Sequence, residues 1–295
     1  MARCDRPWCP GPAPRPTPRK GADDAGYENT VTAGDADTLV KQHQRPARFR
    51  SEAQALRLLA STRLAPQLCA VCEPHRTLRM TRLEGRSLAA PLVEGYDSEH
   101  LAAAVGAHLR LLHRVTAPGF GPLHASTACS WPCFLRRHLT TRLASLPLTS
   151  GDLDRLWAFL GPHLGTLHIE GPRLLHHDLK PANILFGANG VIGFCDFEQA
   201  RGGDPLSDLG KLWWRTFAAT RSSAWRAFLT AYGSPEGDQY DRVRFYLVVH
   251  CIGALAYWHD YGRSRYLNHA RSAAALLFAN AGVGCSLRTQ RRRIG

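Results

Sequence analysis

The chain has no long uninterrupted apolar run. Its most hydrophobic stretch, Phe245 to Trp258, is broken by His250 and falls short of the roughly 20 residues that a bilayer-spanning helix needs, so no membrane span is expected. The stretch MARCDRPWCPGPAPRPTPRK is rich in proline and arginine and holds no apolar segment of the about 7 to 15 residues typical of a secretory leader. The expectation is a cytoplasmic protein in which residues 1–24 are disordered. Acidic residues are scarce, 24 against 37 lysines and arginines, giving a formal charge of +13. The basic residues are scattered, however, and only Arg291, Arg292 and Arg293 cluster tightly. Aromatic side chains are not interleaved with a basic stripe, which argues against a nucleic-acid surface while still permitting a phosphorylated ligand. Internal repeats are absent. Cys69 and Cys72 are spaced CxxC and Cys129 and Cys133 CxxxC, but neither pair has the second knuckle and turn glycines of a structural zinc site. Nine cysteines, an odd number, with no leader, point to reduced and mostly buried thiols.

What is present is an ordinary globular balance, 44% apolar and 21% charged over 295 residues, enough to bury a sizeable core. Tyr27 to Val31 and Thr38 to His43 read as a hairpin across the turn-forming AGDAD. RFRSEAQALRLLAS has helical spacing, with Phe49, Ala53, Leu56 and Leu59 or Ala60 inward, and LCAVCE and TLRMTRL read as short strands. From Asp97 the pattern turns helical, with Leu101, Val105, Leu109 and Leu112 on one face. Further helices are predicted over 131–145, 152–168, 206–220, 224–232, 239–258 and 265–279. The fold class is therefore α+β and two-lobed. Residues 25–84 form a small β-rich lobe, 85–285 a larger mainly α-helical lobe, and 286–295 a basic tail.

One stretch interrupts the helices: LLHHDLKPANILFGANGVIGFCDFEQA, residues 174–200. Two β-type runs, Asn183 to Phe186 and Val191 to Phe194, flank GANG, a hairpin turn. Asp178 stands before the first strand, Asn183 at its start and Asp196 at the end of the second, so all three can converge. Two carboxylates and an amide oxygen suit Mg²⁺, which prefers hard oxygen ligands, and one carboxylate stays free to accept a proton. That is the toolkit of phosphoryl transfer. Turn chemistry would explain a lone Asp-Asn pair, but not several agreeing positions.

HHDLKPANIL, then GFCDFEQA, then GGDPLSDL resemble the aminoglycoside phosphotransferase and choline kinase family, the small-molecule branch of the protein-kinase-like fold. The resemblance covers about residues 25–280. It implies an enzyme using ATP and Mg²⁺, with Asp178 as catalytic base and Lys180 reaching the transferring phosphate. It also implies Asn183 and Asp196 as metal ligands and Asp208 pinning the catalytic loop, while His176 or His177 packs and bonds to loop backbone. In the small lobe it calls for a strand lysine and a helix glutamate, matched by Lys41 at a strand end in TLVKQH and Glu52 in RFRSEAQAL. The hinge would be LRMTRLEGRSL, where backbone groups of Thr81 to Leu83 meet adenine. GYENTV stands where a glycine-rich cover is expected, leaving the phosphates to backbone groups of Glu28 and Asn29. DFE replaces DFG, and HHD replaces HGD. Only six residues separate Phe197 from Asp204, too few for a peptide-binding activation segment, so the acceptor is a small-molecule hydroxyl. Glu236, Asp238, Asp241 and Asp260 are available to receive a cationic antibiotic. The expectation is an antibiotic kinase of aminoglycoside type. The alternatives are a metabolic kinase for a sugar, choline-like or amino-alcohol substrate, a lipopolysaccharide-type sugar kinase, and a non-catalytic pseudokinase.

Overall fold

The computed structural model describes residues 6–11, 29–35, 37–89, 98–125, 128–187, 190–217 and 222–261. The predicted helix over 265–279, the basic tail, residues 12–24, and Gly26, Tyr27 and Glu28 of the expected phosphate cover lie outside them.

The small lobe grows from a hairpin. β1 (Asn29–Ala33) pairs antiparallel with β2 (Thr38–His43), Asn29 opposite His43 and Ala33 opposite Leu39. β1 runs two residues beyond the expected end at Val31, and its described part begins at Asn29. β3 (Leu68–Cys72) and β4 (Thr77–Thr81) complete a sheet of order β1-β2-β4-β3. α1 (Pro46–Leu58) opens on a proline in its first turn, where the missing N–H costs nothing. It buries Phe49, Ala53 and Leu56, and Leu59, not the exposed Ala60, takes the next inward place.

The chain leaves this sheet through β5 (Arg86–Ser87), which pairs with a strand of the second region. There α2 (Ser98–Leu112) turns Leu101, Val105, Leu109 and Leu112 into the core. α3 (Trp131–Ala144) is capped by Ser130, whose side chain accepts from the Cys133 N–H. α4 (Ser150–Thr166) starts with a reciprocal capping box between Thr149 and Asp152. Within the predicted helix over 206–220, α5 (Leu206–Leu212) passes into a wider π-type turn, Trp213–Phe217, and residues 218–220 lie outside the described ones. α6 (Ser222–Tyr232) packs on α2 so tightly that a Cβ on Gly106 would press on the Phe228 carbonyl oxygen. α7 (Gln239–Tyr261) carries the apolar run, with Phe245, Tyr246, Val248, Cys251, Ile252 and Ala256 buried. No described helix is long and apolar enough to cross a membrane.

Several very short strands had no visible period in the sequence. β6 (Gly121–Pro122), β7 (Arg173–Leu175) and β10 (Arg201–Gly203) form one small sheet, order β6-β10-β7. β8 (Ile184–Gly187) and β9 (Gly190–Phe194) are the expected hairpin, with β5 added at its edge. Two- and three-residue strands cannot show alternation, so only neighbours in space define them. The cysteines also differ from expectation. Cys69, Cys129 and Cys133 are exposed, and among the described cysteines only Cys72 and Cys251 are buried.

Candidate active site

β7 delivers the chain into the segment His176–Asn183, and a buried carboxylate from the next helix fixes it. Asp208, in the first turn of α5 and fully buried, accepts from the backbone N–H of His176 at 2.7 Å and of His177 at 2.8 Å. His113 Nε2 adds a third contact at 3.2 Å, and its Nδ1 reaches the Tyr232 hydroxyl at 2.8 Å. Burial disfavours the charged form, yet His113 and the backbone donors prevail and hold the Asp208 pKa below the ordinary carboxylate value. This clamp supports a left-handed backbone at His177, φ +63°, a conformation that non-glycine residues adopt at a cost of about 1–3 kcal/mol. His176 then joins two loops: its Nδ1 accepts from the Asp178 N–H at 3.2 Å, and its Nε2 donates to the Cys195 carbonyl at 2.9 Å. The His177 ring packs against His250, centroids 4.9 Å apart, and desolvation with Arg201, His250 and Lys211 nearby pushes its pKa well below the usual value.

Asp178 is held between two lysines. Lys180 Nζ lies 3.3 Å from Oδ2 and Lys211 Nζ 3.5 Å from Oδ1, with the Asp178 side chain 13% exposed. Asn183 sits in the tight turn Pro181–Asn183 just before β8, and its Nδ2 donates to the Asp178 carbonyl at 2.9 Å, which leaves the amide oxygen for another partner. Burial pulls the Lys211 pKa down against Asp178, and Arg215 and Lys180 add to that pull. For Lys180 burial is outweighed by Asp178 and Asp196, which raise its pKa.

The hairpin's far end meets the small lobe. Lys41 lies inside β2, not at its end, and its Nζ is 2.7 Å from Glu52 Oε2 and 2.6 Å from Asp196 Oδ1. The other Glu52 oxygen accepts from the Phe197 N–H at 3.2 Å, so one glutamate ties α1 to the backbone after Asp196. Burial opposes all three charges, but their mutual attraction wins: Lys41 is raised, Glu52 lowered, and Asp196 held at about 2. Asp196 itself is left-handed, φ +69°. The structure thus joins Lys41, Glu52 and Asp196 in one cluster, and Asp178, Lys180 and Asn183 in a second. Lys180 feels both aspartates. A carboxylate and an amide oxygen from Asp196 and Asn183 are hard donors that fit a magnesium ion.

The sequence profile of the phosphotransferase enzyme family matches residues 17–246. The chain belongs to that family. It is a phosphotransferase acting on a hydroxyl group of a small molecule. Similar solved structures share its protein-kinase-like fold. The gentamicin complex of APH(2")-IIa superposes with a TM-score of 0.66 at 19% identity, covering 88% of this chain and 90% of that one. A ternary complex of a thermostable aminoglycoside phosphotransferase APH(4)-Ia mutant with AMP-PNP and hygromycin B gives 0.69 at 17%, covering 89% and 93%. The macrolide 2'-phosphotransferase MphH from Brachybacterium faecium gives 0.60 at 19%, covering 86% and 90%. A search of the curated proteins finds no match.

The hinge of this phosphotransferase offers less than its sequence suggested. The Thr81 N–H donates to the Gln67 carbonyl at 2.9 Å, and the Arg82 N–H to the Asp37 carbonyl at 2.6 Å. Those donors belong to the fold, so Thr81 has no N–H left for an adenine edge; Leu83 is the next backbone donor, and no described residue accepts from it. Leu83 lies over Gly193 of β9, where a Cβ would come 2.6 Å from the Leu64 carbonyl oxygen. The Asn29 side chain is also engaged: its Nδ2 donates to Glu198 Oε2 at 2.5 Å. Glu198, the third residue of DFE, also pairs with Arg48 from α1, so the position closes the small lobe onto the hairpin. Burial first, then Asp196, raises the Glu198 pKa.

Glu236, Asp238 and Asp241 are exposed, before and at the start of α7, and Asp260 has no described side chain. The residues that sequence reasoning missed are Lys211, Glu198, Arg48, His113 and Asp204. Asp204 accepts from Arg242 at 2.5 Å and from the Tyr246 hydroxyl at 2.6 Å, fastening β10 and α5 to α7. The quoted motif GGDPLSDL contains Asp204; Lys211 and His113 carried no sequence signal at all.

Proposed function

We propose that this phosphotransferase moves the γ-phosphoryl group of ATP to a hydroxyl of an antibiotic-type small molecule, with Mg²⁺ as cofactor. The observation that carries the reading is the Asp178 carboxylate, held between Lys180 and Lys211, with Asn183 bonded to the Asp178 backbone carbonyl and Lys180 also drawn to Asp196. Residues 25–84 form the nucleotide lobe in this reading, and 85–285 the catalytic and acceptor side. Lys41, oriented by Glu52, binds the phosphates, and the Leu83 backbone faces the base. Asp178 accepts the acceptor's O–H proton while that oxygen bonds to the γ-phosphorus. The bond from phosphorus to the β,γ-bridging oxygen breaks, and its electron pair leaves with ADP. Lys180 and Lys211 sit where charge develops around the transferred group. Mg²⁺, when bound by Asn183 and Asp196, neutralises phosphate charge. The nucleotide and antibiotic complexes of similar structures support this reading.

A second reading of the acceptor rests on Lys211. A lysine 3.5 Å from Asp178, with Arg215 beside it and no buried acid among Glu236, Asp238 and Asp241, favours a hydroxyl carried by a weakly charged molecule over one flanked by ammonium groups. The macrolide-type neighbour is an example of the class.

The test is ADP release with ATP and Mg²⁺ across aminoglycosides, macrolides, peptide antibiotics, choline and sugars. Release on one class is expected, with Asp178→Asn cutting turnover by about 10²–10⁴-fold while keeping the ATP-induced thermal shift. Unchanged turnover in Asp178→Asn refutes the base assignment; no shift and no release with any compound point instead to a binding module.

A further inference from the structure

The segment 6–11 lies against the small lobe, anchored at both ends. Arg6 Nη1 donates to the Val71 carbonyl at 2.5 Å, and Gln42 Nε2 donates to the Gly11 carbonyl at 2.7 Å. Between these anchors Cys9 Sγ stands 3.3 Å from Cys72 Sγ and 3.1 Å from His75 Nδ1. All three ligand atoms lie within 4.8 Å of one another. Cys72 is buried at the end of β3, and Cys9 and His75 are half-buried.

The turn that carries His75 is held firmly. Its carbonyl accepts from Thr77 Oγ1 at 3.2 Å and Gln42 Nε2 at 3.3 Å, and the next residue, Arg76, exchanges bonds with His43 at 2.9 and 3.1 Å. Two thiols and an imidazole so placed form a soft sulfur and nitrogen donor set. A tetrahedral zinc with Zn–S of about 2.3 Å and Zn–N of about 2.1 Å sets its sulfurs ~3.8 Å apart and sulfur from nitrogen ~3.6 Å apart. The observed separations are within about half an ångström of these values. A disulfide would need the sulfurs at about 2.05 Å and would give His75 nothing to do.

We propose that Cys9, Cys72 and His75 bind a zinc ion and that the ion clips residues 6–11 to the edge of the nucleotide lobe. Both thiols lose their protons on binding. The clip reaches β2 through Gln42, the neighbour of Lys41. Spacing could not reveal the site, because Cys9 and Cys72 are 63 residues apart and the CxxC partner, Cys69, is exposed with its Sγ 3.6 Å from the Gln67 carbonyl.

The experiment measures metal content in the full chain by mass spectrometry of the elements, with competition by a zinc chelator and Co²⁺ substitution. About one zinc per chain and a thiolate-to-cobalt charge-transfer band are expected. Cys9→Ser should weaken binding more than about 100-fold, beyond what an outer-shell change does, and His75→Ala should do the same. Cys129→Ser should bind zinc as the unaltered chain does. Cys9 and His75 lie at the edge of the lobe, so circular dichroism should show both variants folded. Zinc retained by Cys9→Ser, a Cys9–Cys72 disulfide mapped under non-reducing conditions, or metal-free protein in the presence of added zinc would each overturn the proposal.

Discussion

Asp208→Asn tests the whole support of the catalytic loop with one atom changed. The carboxylate has no exposed surface and accepts the His176 and His177 N–H groups at 2.7 and 2.8 Å, one on each oxygen. An amide keeps the shape but presents an NH₂ to one of these donors. One charge-assisted hydrogen bond, worth about 1.5–3 kcal/mol, is lost, and a buried N–H is left without acceptor at about 1–3 kcal/mol. The neutral amide is cheaper to bury than the carboxylate, which offsets part of this. The net expectation is a stability loss of about 2–4 kcal/mol, a large share of the about 5–15 kcal/mol typical of a domain. The left-handed His177 depends on that clamp, so the loop relaxes and Asp178 moves. A displacement near 1 Å corresponds to about 100-fold in turnover. The ion pairs of Lys41 with Glu52 and Asp196 are untouched, so the ATP-induced thermal shift should persist. Urea unfolding followed by circular dichroism and steady-state ADP release read the two effects separately. A stability change below about 0.5 kcal/mol together with unaltered turnover would refute the reasoning.

Lys41→Met leaves Glu52 and Asp196 facing each other without their cation; the expected cost is about 3–5 kcal/mol in urea unfolding, with loss of the ATP-induced shift, and Lys41→Met/Glu52→Gln should recover part of the stability but not the shift. Stability should fall with acid from near neutrality. His250, pushed down to about 3 by burial and Lys211, and His177 stay neutral when folded but take up protons below 6.5 when unfolded. The His250 contribution is complete above pH 6.5 and is lost as the pH falls toward 3, by up to about 1.4 kcal/mol per pH unit, His177 acts in the same direction, and equal urea midpoints near neutrality and near pH 5 would contradict it. Gly106→Ala adds a good helix former yet forces α2 away from the Phe228 backbone, so a destabilisation of about 1–3 kcal/mol is expected by thermal unfolding, where packing-free propensity alone predicts a gain.

Much of the site was legible because its parts are close in sequence. Asp178, Asn183 and Asp196 are set by one loop and one hairpin, whose two apolar runs are readable in the sequence and pair as β8 and β9. The inward faces of α1 and α2 followed from helical periodicity, and even the choice of Leu59 over Ala60 is a matter of which residue continues the apolar stripe. The Lys41–Glu52 pair was found through resemblance, since a lysine and a glutamate at that spacing carry little information alone.

What the tertiary structure alone decided is which distant groups share a place. Lys211 stands at Asp178 because α5 packs behind the loop that Asp208 holds. Arg48 and Asn29 meet at Glu198 because α1 and β1 both close on the hairpin, and Cys9 meets Cys72 and His75 across 63 and 66 residues. The Thr81 N–H is engaged for the same reason: it donates to Gln67, a partner that only the packing of the sheet assigns. Local chemistry is written in the order of residues, since the chain's geometry over a few bonds fixes it. Long-range contacts depend on the burial of the whole core, which no short stretch encodes.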